Sequence, residues 1–130
     1  MSIDIIVSVY ADTSATTAAA AKIAAKRIES VVQSVANTPS SFHGGTWLYP
    51  YHPKLEPKYA VGGLFQFARS LRAPQDAELN GIIRNIRQGI GRVVGAGKIL
   101  DVRALVTDRL PWYGGESTTR PISPSRSLRR

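Results

Sequence analysis

Two hydrophobic periodicities alternate along this chain, and their order constrains the fold more than any other feature. Near the start, every second residue is apolar, at Ile3, Ile5, Val7 and Val9. That period of two predicts a strand with one face in a core. Further on, apolar residues recur at spacings of three and four, at Leu79, Ile82, Ile83, Ile86 and Ile90. That period predicts an amphipathic helix, so the chain combines strands with helices.

A first helix is expected over residues 15–36, directly after the first strand. Asp12, Thr13 and Ser14 provide side chains that can cap its N-terminus. The apolar stripe predicted for it is Ala20, Ala24, Ile28, Val31 and Val35. The segment Asn37-Thr38-Pro39 then predicts its end, because the residue before a proline disfavours helical backbone.

Two strands are expected in the middle of the chain, over residues 46–51 and 59–68. The prolines and charged residues between them are typical of a connecting loop. Within the later strand, Gly62-Gly63 indicates either a bulge or a close approach of another part of the backbone.

The last strand is expected from Ile99 to Thr107, although the glycine-rich stretch before it also permits a start near Val93. Its core-facing residues would be Leu100, Val102, Ala104 and Val106. The element order is then β-α-β-β-α-β, the split βαβ or ferredoxin-like arrangement. We therefore expect an α+β fold in residues 1–110, with two helices on one face of a four-stranded antiparallel sheet. The other face would be open to a partner.

The last part of the chain, residues 111–130, is expected to be an extended basic tail that cannot form a core alone. No acid occurs among residues 117–130, and the cations there are Arg120, Arg126, Arg129 and Arg130. They supply half of the net charge of +8, which predicts an anionic partner: RNA, DNA or a membrane surface. No apolar run reaches the roughly 18 residues of a membrane span. Neither a secretory signal nor a transit peptide is expected.

Nothing in the sequence predicts catalysis, a metal site or a cofactor. The two histidines, His43 and His52, have no carboxylate at metal-ligand spacing, so we interpret both as surface loop residues. The glycines at 89–97 follow a helix and precede a strand, which is the reverse of the order in a dinucleotide-binding loop. The absence of cysteine excludes disulfides and thiolate chemistry. We expect a protein that is not an enzyme.

Aromatic and basic residues lie together in the middle of the chain and predict a nucleic-acid contact. Trp47, Tyr49 and Tyr51 could stack on bases or contact a partner protein. The cations that could neutralise phosphates there and in the last strand are Lys54, Lys58, Arg69, Arg72 and Arg103. Phe65 and Phe67 are interpreted as core residues instead.

Four elements have an order and a spacing that are specific in combination. The first strand, Ile3 to Val9, begins close to Met1. Leu48-Tyr49-Pro50 closes the second strand, and a glycine-aromatic third strand follows at Gly62 to Phe67. Ala73-Pro74 then introduces the second helix. In these elements the chain resembles the bacterial-type family of small-subunit ribosomal protein six, and within it a mitochondrial member.

The resemblance implies a structural constituent of the small ribosomal subunit, in the mitochondrial matrix or alternatively in a bacterial cytoplasm or a chloroplast. Members of the family have the fold predicted above and catalyse nothing. They bind small-subunit rRNA at the platform, together with ribosomal protein eighteen and other ribosomal proteins. The resemblance carries over to Tyr49 and Pro50 and to cations that border the strands, such as Lys58, Arg69 and Arg103. One departure is Leu64, where the family usually has an aromatic residue.

Two other functions stay open from the residues alone. A ferredoxin-like module could assemble into a shell or phage particle, and ordered self-association without nucleic acid would indicate this. A small enzyme or ligand-binding protein would instead need a buried pocket lined by an acid and by His43 or His52.

Overall fold

The computed structural model describes residues 2–70, 75–108 and 118–121. The strands are β1 (Ser2–Ala15), β2 (His43–Tyr51), β3 (Lys58–Ser70), β4 (Ile99–Asp108) and β5 (Thr118–Pro121). The helices are α1 (Ala18–Ala36) and α2 (Gln75–Val94). Short 3-10 turns occur at Pro53–Leu55 and Ala96–Lys98. Strands β2 and β3 are both longer than the sequence predicts.

The strands form one sheet in the order β2-β3-β1-β4-β5, and each neighbouring pair is antiparallel. The first four strands and the two helices have the α+β, ferredoxin-like arrangement that was predicted. Strand β5 extends the sheet beyond β4, within the stretch expected to be a tail, and places Arg120 opposite Val106 in the register. The predicted RNA-binding residues that lie outside the described residues are Arg72, Arg126, Arg129 and Arg130.

One face of the sheet packs against the two helices and forms the hydrophobic core. In β1 the alternate residues Ile3, Ile5, Val7 and Val9 are buried, as predicted. In α2 all five residues of the predicted stripe are at most 4% exposed. Phe65 and Phe67 of β3 are buried in the same core, which confirms their interpretation as core residues. Burying a side chain of this size stabilises the fold by about 1.5–3 kcal/mol.

The stripe predicted for α1 is partly wrong. The buried residues are Ala21, Ala25, Ile28, Val32 and Ala36, one position further along than predicted for most of the stripe. Ala20 is exposed, and Val31 and Val35 are only partly buried at the border of the core. The prediction was one position off because the run of alanines forms several equally apolar stripes along the helix. Contact with the sheet decides which of them is buried.

The helix cap predicted at Asp12, Thr13 and Ser14 is wrong, because β1 continues past these residues. The Asp12 carboxylate accepts a hydrogen bond from the Ser14 N–H at 2.8 Å. The Thr13 hydroxyl donates to the Tyr59 carbonyl, also at 2.8 Å. These side chains stabilise the end of the strand, and Thr17 caps the helix instead.

The start of β4 at Ile99 decides between the two registers left open by the sequence. The pairing of β1 with β4 shifts between Tyr10 and Ala11, so Ile99 packs against the core. Leu100 is 53% exposed, and its predicted place on the core face is wrong. The other three predicted residues, Val102, Ala104 and Val106, are buried. The shift depends on pairing between strands that are distant in sequence, so local alternation could not reveal it.

Candidate nucleic-acid interface

The sheet face opposite the helices, which we call the open face, carries a group of exposed aromatic side chains. Trp47 and Tyr49 of β2 lie opposite Gly62 and Ala60 of β3, and Tyr10 of β1 also pairs with Gly62. We call Tyr10, Trp47 and Tyr49 the aromatic cluster. Their side chains are 38%, 43% and 43% exposed, respectively. The ring centroids of Tyr10 and Tyr49 are 5.5 Å apart and those of Trp47 and Tyr49 are 6.1 Å apart, both edge to face.

Gly62 lies directly beneath the aromatic cluster. A Cβ atom at Gly62 would lie 2.6 Å from Trp47 Nε1 and 2.8 Å from Tyr49 Cε2, so no side chain fits there with the rings in place. The register of β2 with β3 continues without a shift across Gly62 and Gly63. Neither predicted alternative, a bulge or a close approach of backbone, is found: two aromatic rings approach Gly62, and a Cβ atom at Gly63 would meet the Phe65 ring instead.

Tyr10 is a member of the cluster that sequence reasoning did not assign to the interface. It follows Val9 in β1, and alternation places it on the side opposite the core. A large aromatic residue at an outward strand position was the available signal. Only the strand order, with β3 between β1 and β2, shows that Tyr10 contacts Tyr49.

Tyr51 was predicted to belong with Trp47 and Tyr49, but an acid holds it at the end of β2. Its hydroxyl donates a hydrogen bond to the Asp12 carboxylate. This bond, together with desolvation and the nearby negative charge, raises the pKa of Tyr51 to about 12. Because β3 lies between β2 and β1, the bond spans the width of three strands. It fixes one end of the open face.

Three of the predicted cations do not converge on the aromatic cluster. Lys54 is exposed in the turn after β2, with a φ of 53°. Lys58 begins β3 and lies opposite Tyr51 at the end of the face. Arg69 points to the helix side, where its Nη1 donates to the Val35 carbonyl at 3.0 Å.

Arg103 of β4 lies next to the aromatic cluster, in an ion pair. It is opposite Ser8 in the register, and its Nε donates to Asp101 Oδ2 at 2.9 Å. Asp101 is opposite Tyr10, so the ion pair borders the cluster. The Arg103 side chain is 45% exposed. The open face is thus aromatic at its centre, with charges of both signs around it.

Neither histidine forms a chemical site with its neighbours. His43 opens β2 rather than lying in a loop, and its Nδ1 is 3.2 Å from the Ser41 carbonyl oxygen. His52 is exposed in the turn that follows β2. Within the described residues, no three metal-binding side chains come together. Neither helix has the length and hydropathy that crossing a membrane requires, as far as the described ranges extend.

Comparisons with protein-family models, with curated proteins and with solved structures find no match to this chain.

Proposed function

We propose that this chain is a non-enzymatic RNA-binding protein and a structural constituent of the small ribosomal subunit. The observation that supports this most is the aromatic cluster, three exposed rings on the face of the antiparallel sheet that the helices leave open. Exposed rings on such a sheet stack on unpaired bases in known RNA-binding folds of this layout. Each stacked base contributes about 1–3 kcal/mol to binding.

Two of the elements that carry the resemblance to small-subunit ribosomal protein six lie at this cluster, whereas Ala73-Pro74 lies outside the described residues. Leu48-Tyr49-Pro50 lies in the last part of β2, and Gly62-Gly63 lies in β3 opposite Trp47 and Thr46, which directly precede it. This placement supports the more specific proposal of binding to rRNA at the platform, beside ribosomal protein eighteen and other ribosomal proteins. The proposed location is the mitochondrial matrix, with a bacterial cytoplasm or a chloroplast as alternatives.

The acids of the open face support a binding role rather than acid–base catalysis. Each accepts a hydrogen bond from the protein itself: Asp4 from Gln66, Asp12 from Tyr51, and Asp101 from Arg103. A carboxylate held in this way orients its donor. These contacts stabilise the shape of the face around the rings.

The test is titration of the protein with a single-stranded oligouridine over a range of salt concentrations. Replacing Trp112 by Phe leaves Trp47 as the sole tryptophan, so stacking of bases can be followed by quenching of its fluorescence. We expect Tyr49→Ala to weaken binding by about tenfold or more, the loss of one stacked base. Ile23→Ala removes a side chain of α1 that is 57% exposed, and serves as the control with unchanged affinity.

Two results would count against the proposal. One is binding that is absent at low salt, and the other is Tyr49→Ala binding as tightly as the unaltered protein. The ribosomal part of the proposal is tested separately. The native protein should sediment with small ribosomal subunits and be released by high salt, because phosphate contacts weaken as salt rises.

A second candidate function is an assembly module of a shell or phage particle. It is favoured by exposed apolar residues of the strands: Leu64 is 49% exposed and Leu100 is 53% exposed. Such residues could bury against a second copy of the chain. Sedimentation velocity without nucleic acid discriminates the two, since a defined oligomer that dissociates in Leu64→Ser would favour assembly.

A further inference from the structure

The exposed sides of the two helices have the opposite charge balance to the open face. The cations of the helices are Lys22, Lys26, Arg27, Arg84, Arg87 and Arg92, and the acids are Glu29, Asp76 and Glu78. On the open face, among residues whose side chains are described, the acids Asp4, Asp12 and Asp101 outnumber the cations Lys58 and Arg103. Phosphates are therefore attracted more strongly to the helix layer than to the face with the rings.

Within the helix layer, a groove of about 650 Å³ lies between α1 and α2. Its polar lining consists of arginines, hydroxyls and amides, and the main ones are Ser30, Ser34, Arg69, Asn85, Gln88 and Arg92. None of the described residues that line it is acidic. A groove with this lining offers many hydrogen-bond donors and positive charge, the combination that binds phosphate oxygens.

Two contacts build the groove. Gly89 lets the helices approach, since a Cβ atom there would lie 2.5 Å from Val31 Cγ1. Arg69 reaches the groove from β3 and donates from Nη1 to the Val35 carbonyl at 3.0 Å. A guanidinium has five N–H donors, so one bond to a carbonyl positions the group without exhausting its donors.

We propose that this groove binds the phosphodiester backbone of RNA, with Arg69 and Arg92 as the charged contacts. Asn85 and Gln88 donate hydrogen bonds to the phosphate oxygens between them. Among the described residues, none with an aromatic ring lines the groove, so we expect it to contact phosphates rather than bases. It lies on the opposite side of the sheet from the aromatic cluster, and a strand of RNA on the open face leaves it available to a second segment. The inference rests on the proposed RNA binding, but it does not require base stacking on the open face.

The test compares two arginines of α2. Arg92→Gln removes a cation from the groove, whereas Arg84→Gln removes one from the same helix that does not line it. Both are exposed. Affinity for duplex RNA and for single-stranded oligouridine is measured at several salt concentrations. At ~0.1 M salt, we expect Arg92→Gln to weaken binding about fivefold to tenfold and to lower the salt slope by about one. Arg84→Gln should change the affinity less than twofold.

Three outcomes would overturn the groove as an RNA site. One is unchanged affinity in Arg92→Gln, and another is an equal loss in both variants, which would show long-range attraction only. The third is displacement of RNA from the groove by polyglutamate at the same concentration of negative charge. That result would show that the groove binds an acidic protein segment rather than RNA.

Asn85→Asp is a second variant that leaves the last turn of α2 unaltered and places a negative charge in the groove. It should weaken RNA binding at least as much as Arg92→Gln, with an unchanged melting temperature. Quenching of Trp47 fluorescence at saturating RNA should persist in both groove variants. If Tyr49→Ala binds RNA normally while the groove variants do not, the proposal of base stacking on the open face is wrong and the proposal of a groove site is supported.

Discussion

The two faces of the sheet are built from the same strands and have opposite chemistry. In β1 the neighbours Val9 and Tyr10 are 4% and 38% exposed, respectively. In β3 the neighbours Phe65 and Leu64 are 1% and 49% exposed. Burial of one face against the helices contributes to the free energy of folding. The other face keeps aromatic rings and charges in contact with solvent. Alternate residues of one strand therefore contribute to stability and to recognition, respectively. Substitutions on one face should change stability, and substitutions on the other should change RNA binding.

The largest effect should come from truncating the helix face. Phe67→Ala removes a ring that is 0% exposed, and we expect the free energy of unfolding to fall by about 3–5 kcal/mol because a cavity is left in the core. Urea denaturation followed by circular dichroism measures this loss. Trp47→Ala on the open face is the matched control and should cost about 1 kcal/mol or less, since its ring is already 43% exposed. Similar losses of unfolding free energy in the two variants would contradict the proposed difference between the two faces.

A smaller effect on stability, with a larger one on recognition, is expected for Gly62→Ala. The new methyl group must displace the rings of Trp47 and Tyr49, which can move toward solvent, so the cost is about 1 kcal/mol. The emission of Trp47 should shift and the affinity for oligouridine should fall. Gly45→Ala, on the same face of β2, is the control because a Cβ atom there meets nothing within 4 Å. An unshifted emission spectrum in Gly62→Ala would show that the cluster does not rest on this glycine.

The smallest effect is expected for Tyr51→Phe and depends on pH. The pKa of Tyr51 is raised from 10.0 to about 12, so its neutral form is favoured by folding. Its stabilising contribution is therefore fully present below pH 10 and is lost as the pH rises through 12. The difference in unfolding free energy between the two proteins should be constant from neutral pH to about pH 10 and shrink above it. Urea titrations across this range measure the difference, and one that does not vary with pH would contradict the bond to Asp12.

Sequence patterns predicted an element well where large apolar residues occupy a single face. The alternation in β1 and the stripe from Leu79 to Ile90 in α2 are both confirmed, because isoleucine and valine are costly to expose. The pattern in α1 failed by one position because alanine is apolar on every side. Leu100 was misplaced for a different reason: the register shift opposite Tyr10 and Ala11 arises from strand pairing.

The candidate interface shows the same division. Trp47 and Tyr49 were predicted from the sequence because they stand out within a polar, proline-rich stretch. Arg69 was predicted at the same interface, but the structure turns it to the groove between the helices, where it bonds to Val35. Alternation within β3 places Arg69 on the same face as Phe65 and Phe67, which is the helix side. Its charge nevertheless favoured the prediction of a solvent-exposed position.

The order of strands and helices, the buried faces of β1 and α2, and hence the α+β arrangement can all be predicted from local sequence patterns. These follow from local periodicity, because each side chain's direction is set by its position in its own strand or helix. Only the tertiary structure decided that Tyr10 joins Trp47 and Tyr49 over Gly62, and that Arg69 and Arg92 line one groove. Such groupings join residues far apart in sequence, and they depend on the pairing of strands and the packing of helices, which no local pattern contains.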